Sequence, residues 1–155
     1  MLSKHSPQEL KIEFEIYIDA APARVWGLMA STEGMNLWLA RNLVFEHKLG
    51  GRFEMKGNLP GEGPYRFTGE VTKLEPEREL AFTWKSDPEN GTPWNTSTLV
   101  TLRLQPQGAG TLVSLIHTGF EGLGEAASKE AYEGHIQGWT IADNLNDLKQ
   151  AAEAN

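Results

Sequence analysis

From about Ser128 to Ala152 the apolar residues Tyr132, Ile136, Trp139, Ala142, Leu145 and Leu148 recur every third or fourth position. That spacing draws one apolar stripe along a helix, with His135 and Asp143 at its margins. The first patterned segment of the chain keeps a period of two. Lys11 to Ile18 alternates strictly and sets Ile12, Phe14, Ile16 and Ile18 on one face, the pattern of a half-buried strand. A chain of many strands and one long amphipathic helix has few ways to bury both apolar faces. The helix covers only part of a sheet, so the sheet must curl around it.

The remaining elements follow from turn chemistry. After the first strand, Ala20-Ala21-Pro22 puts Pro22 at the first position of a short helix carrying Val25, Trp26, Leu28 and Met29. Thr32 is placed to cap a second short helix, with Met35, Trp38 and Leu39 on its apolar face. Leu43–His47 and Arg52–Lys56 then flank Gly50-Gly51, a hairpin turn. Tyr65–Leu74 and Glu79–Lys85 flank Glu75-Pro76-Glu77-Arg78, and Thr98–Gln105 and Thr111–Thr118 flank Gln107-Gly108-Ala109-Gly110. Asp87 to Trp94, with two prolines, Asn90 and Gly91, reads as a loop able to gate the interior. Gly119 to Ala127 joins the last strand to the long helix. The expectation is one α+β domain over residues 1–155: about seven antiparallel strands curved around a long C-terminal helix, with two short helices after the first strand. Residues 1–9 are expected as a loose tail.

Composition narrows the partners. Lys plus Arg number 14 against 21 Asp plus Glu, a formal net charge of −7 with the signs interspersed. Such a chain has no basic stripe for a phosphate backbone or an anionic membrane. It has no cysteine, which excludes disulfides, thiolate metal sites and a cysteine nucleophile. The first residues lack the apolar run of a secretory signal, and no stretch is long and apolar enough to span a bilayer. A cytoplasmic location, no nucleic-acid partner and no membrane span are the corresponding expectations.

Alternation also names the interior. Phe53 and Met55 share a face, as do Leu80, Phe82 and Trp84; Tyr65, Phe67 and Val71; and Val113, Leu115 and His117. With Trp38 and Trp139 these side chains either line a ligand cavity or fill a packed core. His117 continues an inward face, where a lone imidazole needs a hydrogen-bond partner. It is either a core histidine bonded to a neighbouring element or a group that orients a ligand's carbonyl or hydroxyl. His135, one turn before Trp139, would face it. A metal between the two histidines has no third ligand at suggestive spacing. Glu13, Glu15, Glu54 and Glu70 fall on the opposite, solvated faces, so no inward carboxylate pair for acid–base work is visible. No G-x-S-x-G occurs, and Gly61-Glu62-Gly63-Pro64 lacks the lysine of a phosphate loop and reads as a loop at the cavity mouth.

These elements in this order resemble a known family. The carriers are Ala21-Pro22 with Val25-Trp26, Trp38, Gly50-Gly51-Arg52-Phe53, Gly69-Glu70-Val71 and Leu80-Ala81-Phe82-Thr83-Trp84. In the last third they are Gly110-Thr111, His117-Thr118-Gly119-Phe120 and Gly138-Trp139 with Leu145 and Leu148. Together they are similar to the START-like superfamily with the helix-grip fold, in the branch named after the activator of the ninety-kilodalton heat-shock protein's ATPase. The resemblance implies an interior cavity and carries no universal catalytic motif. It favours non-covalent binding of a small, largely apolar molecule, without a cofactor, by a monomer or homodimer. The ligand-binding set is then Trp38, Phe53, Met55, Tyr65, Phe67, Phe82, Trp84, His117, His135 and Trp139. Two alternatives come with it. One is a chaperone-associated role, although the eukaryotic activator carries a further N-terminal domain. The other is a cyclase- or dehydratase-type enzyme, which would need inward ionisable groups of shifted pKa.

Overall fold

The computed structural model describes residues 2–6, 10–41, 43–59, 63–87 and 94–154. Its strands β1 (Leu2–Ser6) and β2 (Lys11–Ile18) precede helices α1 (Pro22–Met29) and α2 (Thr32–Trp38). Then come β3 (Val44–Phe45), β4 (Arg52–Leu59), β5 (Gly63–Glu75), β6 (Glu79–Ser86), β7 (Thr98–Gln107) and β8 (Gly110–Thr118). A 3-10 turn at Phe120–Leu123 leads into α3 (Glu125–Ala142) and α4 (Asn144–Glu153). All the strands join one antiparallel sheet in the order β1-β2-β8-β7-β6-β5-β4-β3. The segments from β3 to β8 form a meander, and β2 pairs with the last strand, Ile12 opposite His117 and Ile18 opposite Thr111. The seven expected strands are β2 to β8, and the curved sheet with its C-terminal helices is the α+β helix-grip arrangement.

Burial follows the alternation. Ile12, Phe14 and Ile18 of β2, Val100, Leu102 and Leu104 of β7, and Val113, Leu115 and His117 of β8 are all buried. Leu80, Phe82 and Trp84 of β6 continue the same face. Leu145, Leu148 and Ala152 of α4 and Tyr132 and Trp139 of α3 close over it. Burying this much apolar surface is the main stabilising term of the fold.

Three expectations outside the C-terminal helix are corrected. Leu2–Ser6 is not a loose tail but a strand paired along β2, Leu2 opposite Glu15 and Ser6 opposite Lys11. The free edge of β2 supplies the backbone partners that its polar sequence does not advertise. The N-cap of α2 is Ser31, whose hydroxyl accepts from the Gly34 N–H at 3.0 Å; Thr32 instead donates to the Phe45 carbonyl. Gly63-Pro64 belongs to β5, with Leu59 opposite Gly63; Gly61 and Glu62 lie outside the described residues, as do residues 88–93 of the expected gating loop.

The C-terminal helix is not continuous. Asp143 takes a left-handed conformation, φ 51° and ψ 45°, and ends α3 where α4 begins. Aspartate is among the few non-glycine residues that tolerate this region. The break lets Asn144 donate to the carbonyls of Trp38 and Leu39, at 2.9 and 3.2 Å, fixing α4 against the end of α2. Ala142, expected in the apolar stripe, is exposed at the break. Arg24 of α1 closes the other end of α4 by donating to the carbonyls of Ala151, Ala152 and Ala154. Lys149 donates to the Tyr17 carbonyl and pairs with Glu153, which accepts the Asp19 N–H. Polar contacts thus anchor α4 to α1, α2 and the end of β2.

Candidate functional site

Where α3 crosses β6, β7 and β8, nearly every inward side chain carries a ring. Alternation brings Trp84 and His117 to the inner face of their strands, and the helical repeat brings Tyr132, His135 and Trp139 to the facing side of α3. The two imidazoles meet edge to face, centroids 5.1 Å apart at 85°. Trp84 lies 5.7 Å from His117, 6.0 Å from His135 and 5.4 Å from Trp139. Phe120, from the 3-10 turn, packs 4.5 Å from His117 and 5.5 Å from His135.

The ring nitrogens of Trp84, His117, His135 and Trp139 are all engaged in hydrogen bonds. An indole N–H can only donate. Trp139 Nε1 lies 3.1 Å from His117 Nδ1, so Nδ1 is the acceptor and the His117 proton sits on Nε2. That Nε2–H donates to Thr98 Oγ1 at 2.7 Å, and the Thr98 hydroxyl donates to the Trp84 carbonyl at 2.8 Å. Trp84 Nε1 donates to His135 Nε2 at 3.0 Å, which places the second proton on His135 Nδ1, facing the Ala131 carbonyl at 2.8 Å. The two histidines are therefore neutral and of opposite tautomer. Burial, reinforced by the neighbouring His135, holds His117 well below the ordinary histidine range. Burial lowers His135 to about 4 against the opposing pull of the Ala131 carbonyl.

Outward from this core the rings are only half-buried. Phe67 and Trp94 each pack against His135, at 5.5 and 5.6 Å, and against each other at 6.5 Å; Tyr65 lies 5.6 Å from Phe67. Tyr65, Phe67, Trp94 and His135 all retain some solvent exposure. They form an aromatic rim at one end of the interior, continuous through Trp84 with the buried histidine network.

Of the residues expected at a site, Tyr65, Phe67, Trp84, His117, His135 and Trp139 belong to this rim and core. Phe53 and Phe82 extend it, Phe53 stacking on Trp84 at 5.5 Å and touching Phe82 at 4.9 Å, and Met55 stands beside Phe67 across the β4–β5 pair. Trp38 goes elsewhere: its indole donates to the Leu28 carbonyl at 3.0 Å and ties α2 to α1. Sequence reasoning missed Thr98, Phe120 and Trp94. Carrying the alternation of Leu104, Leu102 and Val100 back one step would have found Thr98; nothing periodic marks the other two.

Glu54 pairs with Arg66 at 2.7 Å, Arg66 also holds Asp87 at 2.8 Å, and Glu79 is bound by Lys73 and Arg103. Among the described residues no three His, Cys, Asp or Glu side chains are grouped to hold a metal ion. No helix among them is long and apolar enough to cross a membrane.

Comparison with solved structures gives the same fold at low sequence identity. Protein Ms6760 from Mycobacterium smegmatis superposes with a TM-score of 0.76 at 19% identity, over 100% of this chain and 98% of that one. CalU16 from Micromonospora echinospora gives 0.66 at 24%, over 95% and 82%. The Aha1 dimer from Colwellia psychrerythraea, solved in solution, gives 0.63 at 22%, over 92% and 96%. No protein with a curated description matches the sequence. The family model described as Activator of Hsp90 ATPase homolog 1-like protein matches residues 19–153, nearly the whole length. The chain belongs to that family.

Proposed function

We propose that the chain binds a small, largely apolar molecule against the aromatic rim, with the histidine–indole network as its floor. The observation that carries this reading is the half-burial of Tyr65, Phe67, Trp94 and His135 together at one end of an otherwise buried interior. Large rings left partly wet in one contiguous group are what an apolar ligand would cover. Two neutral imidazoles with both acceptor nitrogens occupied are poor general bases, which favours binding over catalysis. The test is a fluorescence screen of aromatic and fatty compounds, since Trp84, Trp94 and Trp139 report on the site. Saturable quenching, weakened by Phe67→Ala, is expected. A broad library that quenches nothing would make the cluster a packed core.

A second reading, association with a chaperone ATPase, has support in the family's name and in exposed Leu37, Val44 and Leu49 on α2, β3 and the turn after it. A homodimer, the state of the Colwellia neighbour, would use the same kind of surface. Co-sedimentation with a ninety-kilodalton heat-shock protein, and sedimentation of the chain alone, test these two.

A further inference from the structure

The two C-terminal helices are held in different ways. Among the described residues, the backbone of α4 runs close beside α1, α2 and β2, whereas that of α3 runs close along its length only to the 3-10 turn before it. α3 reaches the sheet through long side chains. Tyr132 and Trp139 are its large buried residues, and two indole–imidazole hydrogen bonds, Trp139 to His117 and Trp84 to His135, tie it there. α4 is anchored through main-chain groups instead: those of Trp38, Leu39, Tyr17 and Asp19, and its own last carbonyls, which Arg24 holds. Both ends of α3 are breaks. Gly124 has φ 93° and ψ 157°, a region open essentially to glycine alone, and Asp143 is left-handed. The ladder of α4 starts anew at the Asp143 carbonyl, which accepts from the N–H groups of Asn146 and Asp147. Inside α3 stand Gly134 and Gly138, both exposed, with no atom within 4 Å of where a Cβ would be. Packing does not require glycine at either position, and each weakens a helix relative to alanine by a factor of about two to five.

We infer that α3 is a lid: between Gly124 and Asp143 it melts off the sheet as one unit while the sheet and α4 stay folded, and its two exposed glycines set how often it does so. A segment with few close backbone neighbours opens locally at lower free energy than the strands of a core. Because α4 draws its first rungs from Asp143 and its anchors from α1, α2 and the end of β2, it loses none of these anchors when α3 opens. Opening breaks both indole–imidazole bonds and admits water to Trp84, His117 and His135. α3 therefore controls entry to the interior, whatever molecule enters. The lid belongs to the free protein, so its opening stands or falls apart from the binding proposed above.

Native-state hydrogen exchange of the full-length, 15N-labelled protein tests this, with backbone amides and indole N–H groups followed at low urea. After correction for intrinsic rates, α3 amides should report an opening equilibrium at least about tenfold more favourable than those of β7, β8 and α4, with a smaller urea dependence. The indole N–H of Trp84 is the sharpest probe. It should exchange in step with α3 and not with the backbone amides of its own strand, β6. Gly134→Ala combined with Gly138→Ala should slow exchange in α3 about five- to twenty-five-fold, and the Trp84 indole with it. One opening equilibrium and one urea slope shared by α3, β7 and β8 would overturn the lid. Joint opening of α3 and α4 would overturn Asp143 as its boundary. A Trp84 indole that follows β6 would overturn its control of entry. Unchanged α3 exchange in the double variant would overturn the role of the glycines.

Discussion

The indole N–H of Trp139 is bonded to Nδ1 of His117, 3.1 Å across the interior, so a helix and a strand are joined by two buried aromatic side chains. The Trp84–His135 bond makes a second tie of the same kind between α3 and the sheet. At both, a donor-only indole fixes the tautomer of its imidazole.

The packing and the hydrogen bond of Trp139 can be separated by substitution. Trp139→Phe keeps most of the ring but leaves Nδ1 of His117 buried and unpaired, which should cost about 1–3 kcal/mol. Trp139→Ala removes the ring as well and should cost about 3–5 kcal/mol. Urea unfolding curves of both variants give the difference. Equal costs would mean that the packing of the ring adds nothing beyond the hydrogen bond.

Arg24 should matter to one helix more than to the whole. Its guanidinium reaches three carbonyls at the end of α4, groups that the helix itself cannot satisfy. Arg24→Ala should destabilise by about 1–3 kcal/mol, as expected for hydrogen bonds from a charged donor. The loss should appear as faster amide exchange at Leu148–Glu153 than at Leu99–Leu104. Uniform acceleration along the chain would show that α4 does not open by itself.

The sheet was legible because its signal is local. Alternation in β2, β6 and β8 depends only on neighbouring residues, and it put His117 and Trp84 on the inner face before any tertiary information. Pro22 marked the start of α1 for the same reason. What could not be read depends on distant partners. Leu2–Ser6 becomes a strand only because β2 offers an edge. The stripe from Tyr132 to Leu148 runs through Asp143 without a visible interruption, yet Asn144 finds the Trp38 and Leu39 carbonyls only if the helix breaks there. Trp94 and Phe120 sit outside regular alternation, and their place beside the histidines is a property of the folded chain. The ring cluster was thus foreseen residue by residue, while its hydrogen-bond order was not.

Gly34 tests the close crossing of α1 and α2. A Cβ added there would run into the backbone carbonyl of Leu28, a contact no side-chain rotation relieves. Helix propensity alone favours alanine over glycine by about 1 kcal/mol. The clash should outweigh this, because overpacking against backbone costs about 1–3 kcal/mol, so Gly34→Ala should be net destabilising. Thermal unfolding reads the sign directly. A higher Tm would mean that the two helices separate easily.

The histidine network should also set how stability responds to acid. In the unfolded chain His135 takes up its proton near pH 6.5, whereas in the fold it does so only near 4. Above pH 6.5 both states are neutral and the contribution is complete. As pH falls from 6.5 towards 4 the unfolded state binds a proton that the folded state refuses, and stability is lost; below that the effect levels off. At pH 5 the loss from one such residue is about 2 kcal/mol. His117 is shifted in the same direction by burial and adds to it. Exposed His47 is also lowered by burial. The lowered carboxylates Glu54, Glu79 and Glu153 act chiefly below about pH 5, since their unfolded forms protonate near 4.5. Urea midpoints at pH 7.5 and 5.0 should therefore differ clearly in the wild type. His135→Gln offers the Trp84 indole an amide oxygen but cannot titrate. It should remove about 2 kcal/mol of that difference, together with the part of the His117 share that His135 causes, and leave the burial share of His117 and that of His47 in place. A variant with the same acid dependence as the wild type would show that His135 is not held neutral by its burial.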